Sequence, residues 1–151
     1  MIYLGLGSNQ GDRRAFLSHA IRRLKKSGFE IHKVSPIVES PALLKHDALP
    51  EWNRPYLNLV ICGDTVHCPE EILRLAKIIE QDLGRDLDAS RWSPRNIDID
   101  ILLWHDQRIN SPTLIVPHAE MHKRSFVITP LMHLSPHLIL PGIKLTPLHI
   151  S

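Results

Sequence analysis

Cysteine is scarce in this chain, whose 151 residues include only Cys62 and Cys68. Two cysteines without a Cys-x-x-Cys motif form neither a disulfide framework nor a redox pair, which predicts a reducing compartment. Long hydrophobic runs are also missing: no segment approaches the roughly 18 apolar residues of a membrane span, and no basic stretch precedes the apolar start. The sequence therefore predicts a cytoplasmic protein with no membrane partner.

An excess of one charge is missing as well, since 18 Lys and Arg stand against 16 Asp and Glu and give a net charge of +2. A net charge this small argues against bulk binding of nucleic acid. The 10 histidines include no His-x-x-x-His pair in a strong helix pattern with a third ligand nearby, so no histidine-built zinc site is predicted. The length predicts a single domain, residues 1–151, with its own core.

The clearest pattern that is present is a strict alternation from residue 97 onward, which predicts a β-strand. One face carries the apolar residues Ile97, Ile99, Ile101 and Leu103. The other face carries Asp98 and Asp100, whose Cα atoms would lie about 6–7 Å apart. Carboxylates that close together repel each other, and a hard divalent cation would relieve the repulsion. An edge strand with a solvated acidic face gives the same pattern, so both interpretations stay open.

The segments around this strand add candidate ligand groups. Arg91, Trp92 and Arg95 place anion-binding side chains and a flat aromatic surface just upstream, which suggests a phosphorylated, metal-bound nucleotide. The glycines of Gly5-Leu6-Gly7 match neither the dinucleotide fingerprint nor the Walker A loop, so a plain strand-to-helix connection is predicted there. Asn58 interrupts an apolar strand, either as a structural amide or as a ligand contact.

Periodicity along the rest of the chain predicts the fold. Apolar residues at helical spacing predict helices over 13–26 and from about residue 69 to Gly84. A proline-rich stretch over 35–55 predicts a long loop, and Pro130 is predicted to interrupt any long helix near it. The order strand, helix, strand, loop, strand, helix, strand predicts an α+β fold with a ferredoxin-like βαββαβ core. We expect a mainly antiparallel sheet with packed helices and extra C-terminal elements.

Five blocks of sequence carry a resemblance to a known family. They are Gly5-Leu6-Gly7-Ser8-Asn9, Tyr56-Leu57-Asn58, Glu80 through Gly84-Arg85, Arg91-Trp92-x-Pro94-Arg95-x-Ile97-Asp98-Ile99-Asp100-Ile101, and Val116-Pro117-His118 with Arg124-x-Phe126. In this order they resemble the 6-hydroxymethyl-7,8-dihydropterin pyrophosphokinases nearly end to end. The resemblance implies an ATP-dependent diphosphokinase of folate biosynthesis, which transfers diphosphate from ATP to the pterin's hydroxymethyl group and releases AMP. It also implies two Mg²⁺ ions, and we expect a monomer.

The resemblance also assigns roles to residues by position. Catalytic roles fall on Arg85, Arg95, Asp98 and Asp100, and the two aspartates would hold both metal ions. Contacts to ATP fall on Arg85, Arg95, Ile101, Leu114, Ile115, His118 and Arg124. Contacts to the pterin fall on Ser40, Pro41, Leu43, Tyr56, Asn58, Trp92 and Phe126. Ser93 and Leu87 depart from the family pattern, which usually has Gly at the first position and in some relatives Arg at the second.

Two other functions use the same predicted strands. A two-metal phosphoesterase could be built on Asp98 and Asp100, but it would need further carboxylate or histidine ligands from elsewhere in the chain. A ferredoxin-like RNA-binding module would need an aromatic Lys/Arg-Gly-Phe-type stacking motif, which the predicted strands lack. Formation of AMP from ATP and the pterin would separate the main hypothesis from both.

Overall fold

A five-stranded antiparallel sheet is the centre of the protein, seen in a computed structural model that describes residues 1–41, 54–84 and 96–138. Four of its strands run side by side in the order β2 (Phe29–Val34), β4 (Tyr56–Thr65), β1 (Ile2–Ser8) and β5 (Asp98–Trp104). A short strand, β3 (Val38–Ser40), also pairs with β4. It lies inside the stretch predicted as a long loop, and it is three residues long.

Two helices of equal length connect strands that are not neighbours. Helix α1 (Arg13–Lys26) joins β1 to β2, and α2 (Pro69–Asp82) joins β4 to β5. Each connection skips one strand of the sheet, which is the split βαβ arrangement of ferredoxin-like folds. The predicted α+β fold and its βαββαβ core are therefore confirmed.

The ends of both helices follow from local sequence. The Asp12 carboxylate accepts a hydrogen bond from the Ala15 amide and caps the start of α1. Pro69 occupies the first turn of α2, where its missing N–H is not needed. Gly28 and Gly84 follow the two helices with φ angles of +100° and +102°. Glycine enters this left-handed region without the steric cost that a Cβ would bring.

The acidic strand differs from its prediction at one point. Strand β5 contains a bulge, because Leu4 pairs with Ile101 while the next residue of β1 to pair, Tyr3, does so with Leu103. The extra residue, Leu102, resets the alternation, so Leu103 packs with the second core cluster and not with Ile101. The prediction that Leu103 shares a face with the three isoleucines is therefore wrong, since an inserted residue reverses the side of every residue after it.

Beyond β5 the chain returns to the open face of the sheet. A two-stranded ribbon, β6 (Ile109–Asn110) with β7 (Ile115–Val116), leads into a 3₁₀ turn at Met121–Lys123 and then helix α3 (Ser125–Leu134). Helix α3 runs through Pro130, contrary to the predicted interruption. Pro130 is buried, and its neighbours Ile128 and Leu131 are fully buried in the second core cluster. We attribute the tolerance of this proline to that packing.

The helices of the described ranges are too short or too polar to cross a membrane. Both cysteines are free, Cys62 buried and Cys68 exposed, in agreement with the prediction that they form no disulfide. Burial is the main reason that the pKa of the Cys62 thiol is raised.

Candidate active site

A cavity of about 280 Å³ lies at β1, β4 and β5, with further walls from α2 and from the chain after β5. Three strands contribute its floor, in rows that run across the sheet. In one row Asn58 of β4 lies opposite Gly7 of β1, which lies opposite Asp98 of β5. In the next row Val60, Gly5 and Asp100 are aligned in the same way. Strand spacing puts the outer members of a row about 10 Å apart.

Gly5 and Gly7, in the middle of this floor, have no side chains that would project into the cavity. A Cβ at Gly7 would lie 3.2 Å from Asn58 Oδ1 and 3.3 Å from a ring carbon of Tyr56. A Cβ at Gly5 would lie 3.3 Å from the end of the Leu102 side chain. Both separations are tighter than ordinary van der Waals contact, so any side chain at Gly7 would press on the polar amide beside it. The strip of the cavity above Gly5 and Gly7 connects the Asn58 amide with the carboxylates of Asp98 and Asp100. We call this strip the lane.

The acidic end of the cavity is formed by Asp98, Asp100 and a histidine. His118 is held near β5 because its backbone N–H donates to the Leu102 carbonyl at 3.0 Å. Its Nδ1 accepts from the Glu120 amide at 3.2 Å, and its Nε2 lies 3.9 Å from Asp100 Oδ1. With Nδ1 accepting from the backbone, Nε2 is the ring nitrogen directed to Asp100.

The opposite end of the cavity is formed by Asn58 and its neighbours. The side-chain nitrogen of Asn58 donates to the Val38 carbonyl at 3.1 Å and to Ser40 Oγ at 2.8 Å. Both amide hydrogens are therefore used by the protein, and Oδ1, which accepts hydrogen bonds, is the group left for a ligand. Tyr56 and Pro41 line the same end. Asn58 is therefore a satisfied structural amide that also lines the cavity, and its contact with a ligand stays a prediction.

A third wall comes from the start of α3. Arg124 caps this helix, and its guanidinium carbon lies 5.8 Å from the centre of the Phe126 ring, within reach of a cation–π contact. Both side chains are half-buried and line the cavity. The cavity therefore combines an aromatic ring, a cation and two carboxylates.

The predicted site residues fall into three groups. The lining of the cavity includes Asp98, Asp100, His118, Arg124, Pro41, Tyr56, Asn58 and Phe126. Ser40 stands behind it as the hydrogen-bond partner of Asn58. Ile101 and Leu114 are buried in the core and Ile115 is half exposed, and none of the three lines the cavity, so their role in binding adenine stays a prediction. Leu43, Arg85, Trp92 and Arg95 lie outside the described residues, as do the departures at Leu87 and Ser93.

The donor set is suited to a hard cation that shares its coordination with a substrate. The described ranges contain no group of three or more His, Cys, Asp or Glu side chains that could hold an ion. Mg²⁺ in nucleotide sites is usually bound by one or two carboxylates together with phosphate oxygens and water. Asp98 and Asp100 meet that requirement, whereas a closed structural zinc site would need four protein ligands.

Comparison with known proteins decides the family. The family model described as 7,8-dihydro-6-hydroxymethylpterin-pyrophosphokinase (HPPK) matches residues 3–136. The chain belongs to the HPPK family. The predicted family and the predicted enzyme class, an ATP-dependent pyrophosphokinase of folate biosynthesis, are thereby confirmed, and nothing supports the phosphoesterase or the RNA-binding module.

Two kinds of relative match this chain, pyrophosphokinases of similar length and longer bifunctional proteins. A 2-amino-4-hydroxy-6-hydroxymethyldihydropteridine pyrophosphokinase of Aquifex aeolicus is 39% identical over 144 residues, which cover 93% of this chain and 83% of the relative. A folate synthesis bifunctional protein of Chlamydia muridarum is 39% identical over 138 residues, 90% of this chain. The match covers only 30% of the bifunctional protein, so that protein contains a large region with no counterpart here.

Solved structures support the HPPK fold. A crystal structure of an HPPK-DHPS in complex with substrates superposes with a TM-score of 0.69 at 14% identity. The superposition covers 95% of this chain and 41% of the solved chain. A wild-type HPPK-DHPS of Plasmodium falciparum gives a TM-score of 0.56 at 15% identity, with 84% and 39% covered. At such low identity these matches bear on the fold alone.

Three lining residues of this HPPK domain escaped the sequence-based prediction of the site. Leu73, Lys77 and Glu80 all reach the cavity from α2. Glu80 is 3% exposed, although it is charged. A signal for it exists in the sequence, because Glu80 stands four residues after Ala76 and eight after Ile72 on the stripe that faces the core.

Proposed function

We propose that this chain transfers the diphosphate of ATP to the hydroxymethyl group of 6-hydroxymethyl-7,8-dihydropterin and releases AMP. The observation that carries the proposal is the row formed by Asn58, Gly7 and Asp98 on the cavity floor. It puts a hydrogen-bond acceptor for a heterocycle and a carboxylate for a metal–phosphate group at opposite ends of one open lane. A pterin with its hydroxymethyl group directed along that lane would meet the phosphates of ATP at the acidic end.

Asp98 and Asp100 hold two Mg²⁺ ions in this proposal. Bound there, the ions would neutralise charge on the triphosphate and orient the phosphorus that is attacked. The strand contributes fixed spacing, since the two carboxylates project from alternate positions on one side of β5. Repulsion between them favours the state in which cations are bound.

The phosphate chain is held by hydrogen-bond donors around the acidic end. His118 offers its Nε2–H, because its Nδ1 is already occupied as an acceptor. Arg124 offers a guanidinium, whose planar donors suit phosphate oxygens in pairs. Arg85 and Arg95 are assigned to the same task by the family resemblance, and Ile101, Leu114 and Ile115 to adenine. Because Ile101 and Leu114 are buried in the core, adenine would meet their backbone groups.

The pterin is held at the other end. Asn58 Oδ1 accepts a hydrogen bond from the polar edge of the ring, while Tyr56, Pro41 and Phe126 provide the walls. Trp92 and Leu43 complete the pocket, with Trp92 stacking on the face opposite Phe126. Ser40 contributes by holding the Asn58 amide in place. Since this amide keeps two bonds to the protein, its orientation is fixed before the ligand arrives.

The bond changes are few. The hydroxymethyl oxygen attacks the β-phosphorus of ATP, a new O–P bond forms, and the bond between the β-phosphorus and the oxygen of the α-phosphate breaks. AMP leaves with that oxygen, and the hydroxyl proton passes to solvent. Positioning and electrostatic stabilisation therefore supply most of the rate. The chain acts as one domain, residues 1–151, and as a monomer.

One assay tests the proposal. The protein is mixed with ATP, Mg²⁺ and 6-hydroxymethyl-7,8-dihydropterin, and AMP and the pterin diphosphate are separated chromatographically. Equal amounts of both products, absent without the pterin, are expected. Hydrolysis of phosphate esters without diphosphate transfer would instead favour the phosphoesterase. RNA binding without AMP formation would favour the RNA-binding module.

A further inference from the structure

We propose that Glu80 is a positioning residue, which fixes the segment of β5 that carries the two metal-binding aspartates. The inference rests on the proposed function, since it concerns the same aspartates. It gives a residue of α2 a role in placing the metal ligands. Three observations carry it: the burial of Glu80, its hydrogen bond and the place of its partner.

The burial of Glu80 is unusual for its residue type. The buried positions of α2 are Ile72, Ala76, Ile79 and Glu80. Glu80 is only 3% exposed. Burying a carboxylate is costly unless hydrogen bonds replace the lost water. A glutamate buried at this position therefore calls for a specific hydrogen-bond partner.

The hydrogen bond of Glu80 falls between the two aspartates. Its Oε2 accepts from the backbone N–H of Ile99 at 2.9 Å, in a buried environment. Ile99 separates Asp98 from Asp100 along the chain. Carboxylate-to-amide bonds are charge-assisted and roughly twice as strong as neutral ones. This bond therefore acts on the residue that joins the two metal ligands.

The position of β5 explains why this peptide needs support. Strand β5 is last in the sheet order, and within that sheet it pairs only with β1. The amide of Ile99 is directed to α2, where no strand supplies an acceptor. Without one, a buried N–H would be left unsatisfied at a cost of about 1–3 kcal/mol. Rotating the peptide to find another partner would turn Asp98 and Asp100 away from their common direction.

The length and the charge of the side chain at Glu80 can be changed separately. Glu80→Gln keeps an acceptor oxygen at the same distance but removes the charge. Glu80→Asp keeps the charge but shortens the side chain by one carbon, about 1.5 Å, which withdraws the carboxylate from hydrogen-bond range. Glu80→Met removes both while filling the space. Positioning through Ile99 predicts that the Gln variant resembles the wild type and that the Asp and Met variants do not.

Two measurements report on the position of Ile99 and of the two aspartates, and neither requires catalytic turnover. Amide hydrogen exchange of Ile99, followed by NMR, should be at least tenfold faster in Glu80→Asp and Glu80→Met. Affinity for Mn²⁺ in the presence of a nonhydrolysable ATP analogue, followed by EPR, should fall about 10–100-fold in the same two variants, the usual range for residues that orient metal ligands. In Glu80→Gln both should stay within about threefold of the wild type.

A control variant separates positioning from general destabilisation. Ile72→Ala removes a fully buried side chain from the same helix face, at its other end. It should lower the melting temperature while Mn²⁺ affinity stays unchanged. If Glu80→Met fails to fold, the Gln and Asp pair decides. Unchanged Mn²⁺ affinity in Glu80→Asp, a loss in Glu80→Gln equal to that in Glu80→Asp, or an equal loss in Ile72→Ala would each overturn the proposal.

The result also distinguishes this inference from the proposed function. A wild-type chain that makes no AMP would reject the proposed reaction. A wild-type chain that makes AMP, with the Asp and Met variants equally active and equally able to bind Mn²⁺, would reject the role of Glu80 alone.

Discussion

The face of the sheet under α1 and α2 is almost entirely apolar, whereas the opposite face is divided between an apolar patch under α3 and a polar cavity. Both faces are made by the same strands. Along β4, for example, Leu57 and Ile61 join the core under the helices, while Asn58 and Val60 belong to the cavity side. Leu59 packs in the core and also reaches the cavity. The two-residue period of a strand lets one segment serve stability on one side and binding on the other.

This division has a practical consequence for variants. Substitutions on the helix side should change the free energy of unfolding and leave the site intact, and substitutions on the cavity floor should do the reverse. Leu73, Lys77 and Glu80 are exceptions, because they reach the cavity from α2. Glu80 also contacts the edge strand that carries the two aspartates.

Asp98→Asn should cause the largest change. The neutral amide is a weaker ligand for Mg²⁺, so kcat should fall at least about a hundredfold, a barrier increase of a few kcal/mol. The melting temperature should hardly change, since Asp98 lies on the cavity side. The matched control is Asp106→Asn, an exposed aspartate in the turn after β5, which should leave kcat unchanged. Normal turnover in the Asp98 variant would contradict its role as a metal ligand.

Gly7→Ala should have the next largest effect. The added methyl group would lie 3.2 Å from Asn58 Oδ1, so the amide must shift or the pterin must rise from the floor. Overpacking of this kind costs about 1–3 kcal/mol, and pterin affinity should fall about tenfold. Fluorescence titration with the pterin would measure it.

Gly5→Ala sharpens the same test. Its methyl group would meet the end of the Leu102 side chain, which can move, so a smaller loss of pterin affinity is expected. Equal losses in the two variants would mean that the floor does not act through Asn58.

The contrast between the two faces could be predicted from sequence only where periodicity is unbroken. Helix α1 appears over the predicted residues, and the alternation in β4 assigns its two faces correctly. The bulge at Leu102 could not be predicted, because the choice between a bulge and a regular ladder depends on how β1 pairs with β5. Leu103 was therefore assigned to the wrong side.

The cavity itself was only partly predictable. Family motifs indicate the two ends of the lane, but neither the phosphate-loop patterns nor the family motif that contains Gly5 and Gly7 predicts their place in its floor. Two glycines at i and i+2 in a buried strand also indicate an unfilled strip on one face of a sheet. The bond from Glu80 to Ile99 joins residues 19 apart in sequence, and no local pattern predicts which acceptor a buried amide will find.

Ile61→Val tests the helix side of the same strand. Ile61 is fully buried in the core under the helices, so loss of one methyl group should lower the free energy of unfolding by about 0.5–1.5 kcal/mol. Urea denaturation would measure this change. The Michaelis constants for ATP and the pterin should stay the same, although the adjacent residue, Val60, lines the cavity. A shift in either constant would show that the faces are coupled.

Glu71→Gln should give the smallest effect, present at neutral pH and lost in acid. Glu71 lies in the first turn of α2 and accepts from the Cys68 thiol at 3.2 Å, while His67 Nδ1 lies 3.0 Å from its other oxygen. The hydrogen bond from Cys68, and next that from His67, lowers the pKa of the Glu71 carboxyl below its ordinary value. A lowered folded-state pKa contributes stability that is present above the unfolded-state pKa and lost as pH falls through the folded-state pKa.

The measurement for Glu71 is the difference in urea midpoint between the wild type and the variant, compared at neutral and at acid pH. The urea midpoint of the wild type should exceed that of Glu71→Gln at pH 7, and the gap should narrow as pH falls below about 4.5, the ordinary value for this carboxyl. Because the carboxyl is exposed, added salt should reduce the gap at pH 7 as well. Glu70→Gln, at the exposed neighbouring position, has neither partner and provides the control. A gap that widens in acid would contradict the sign of the pKa shift. We expect the same kcat in all three proteins, since neither Glu70 nor Glu71 lines the cavity.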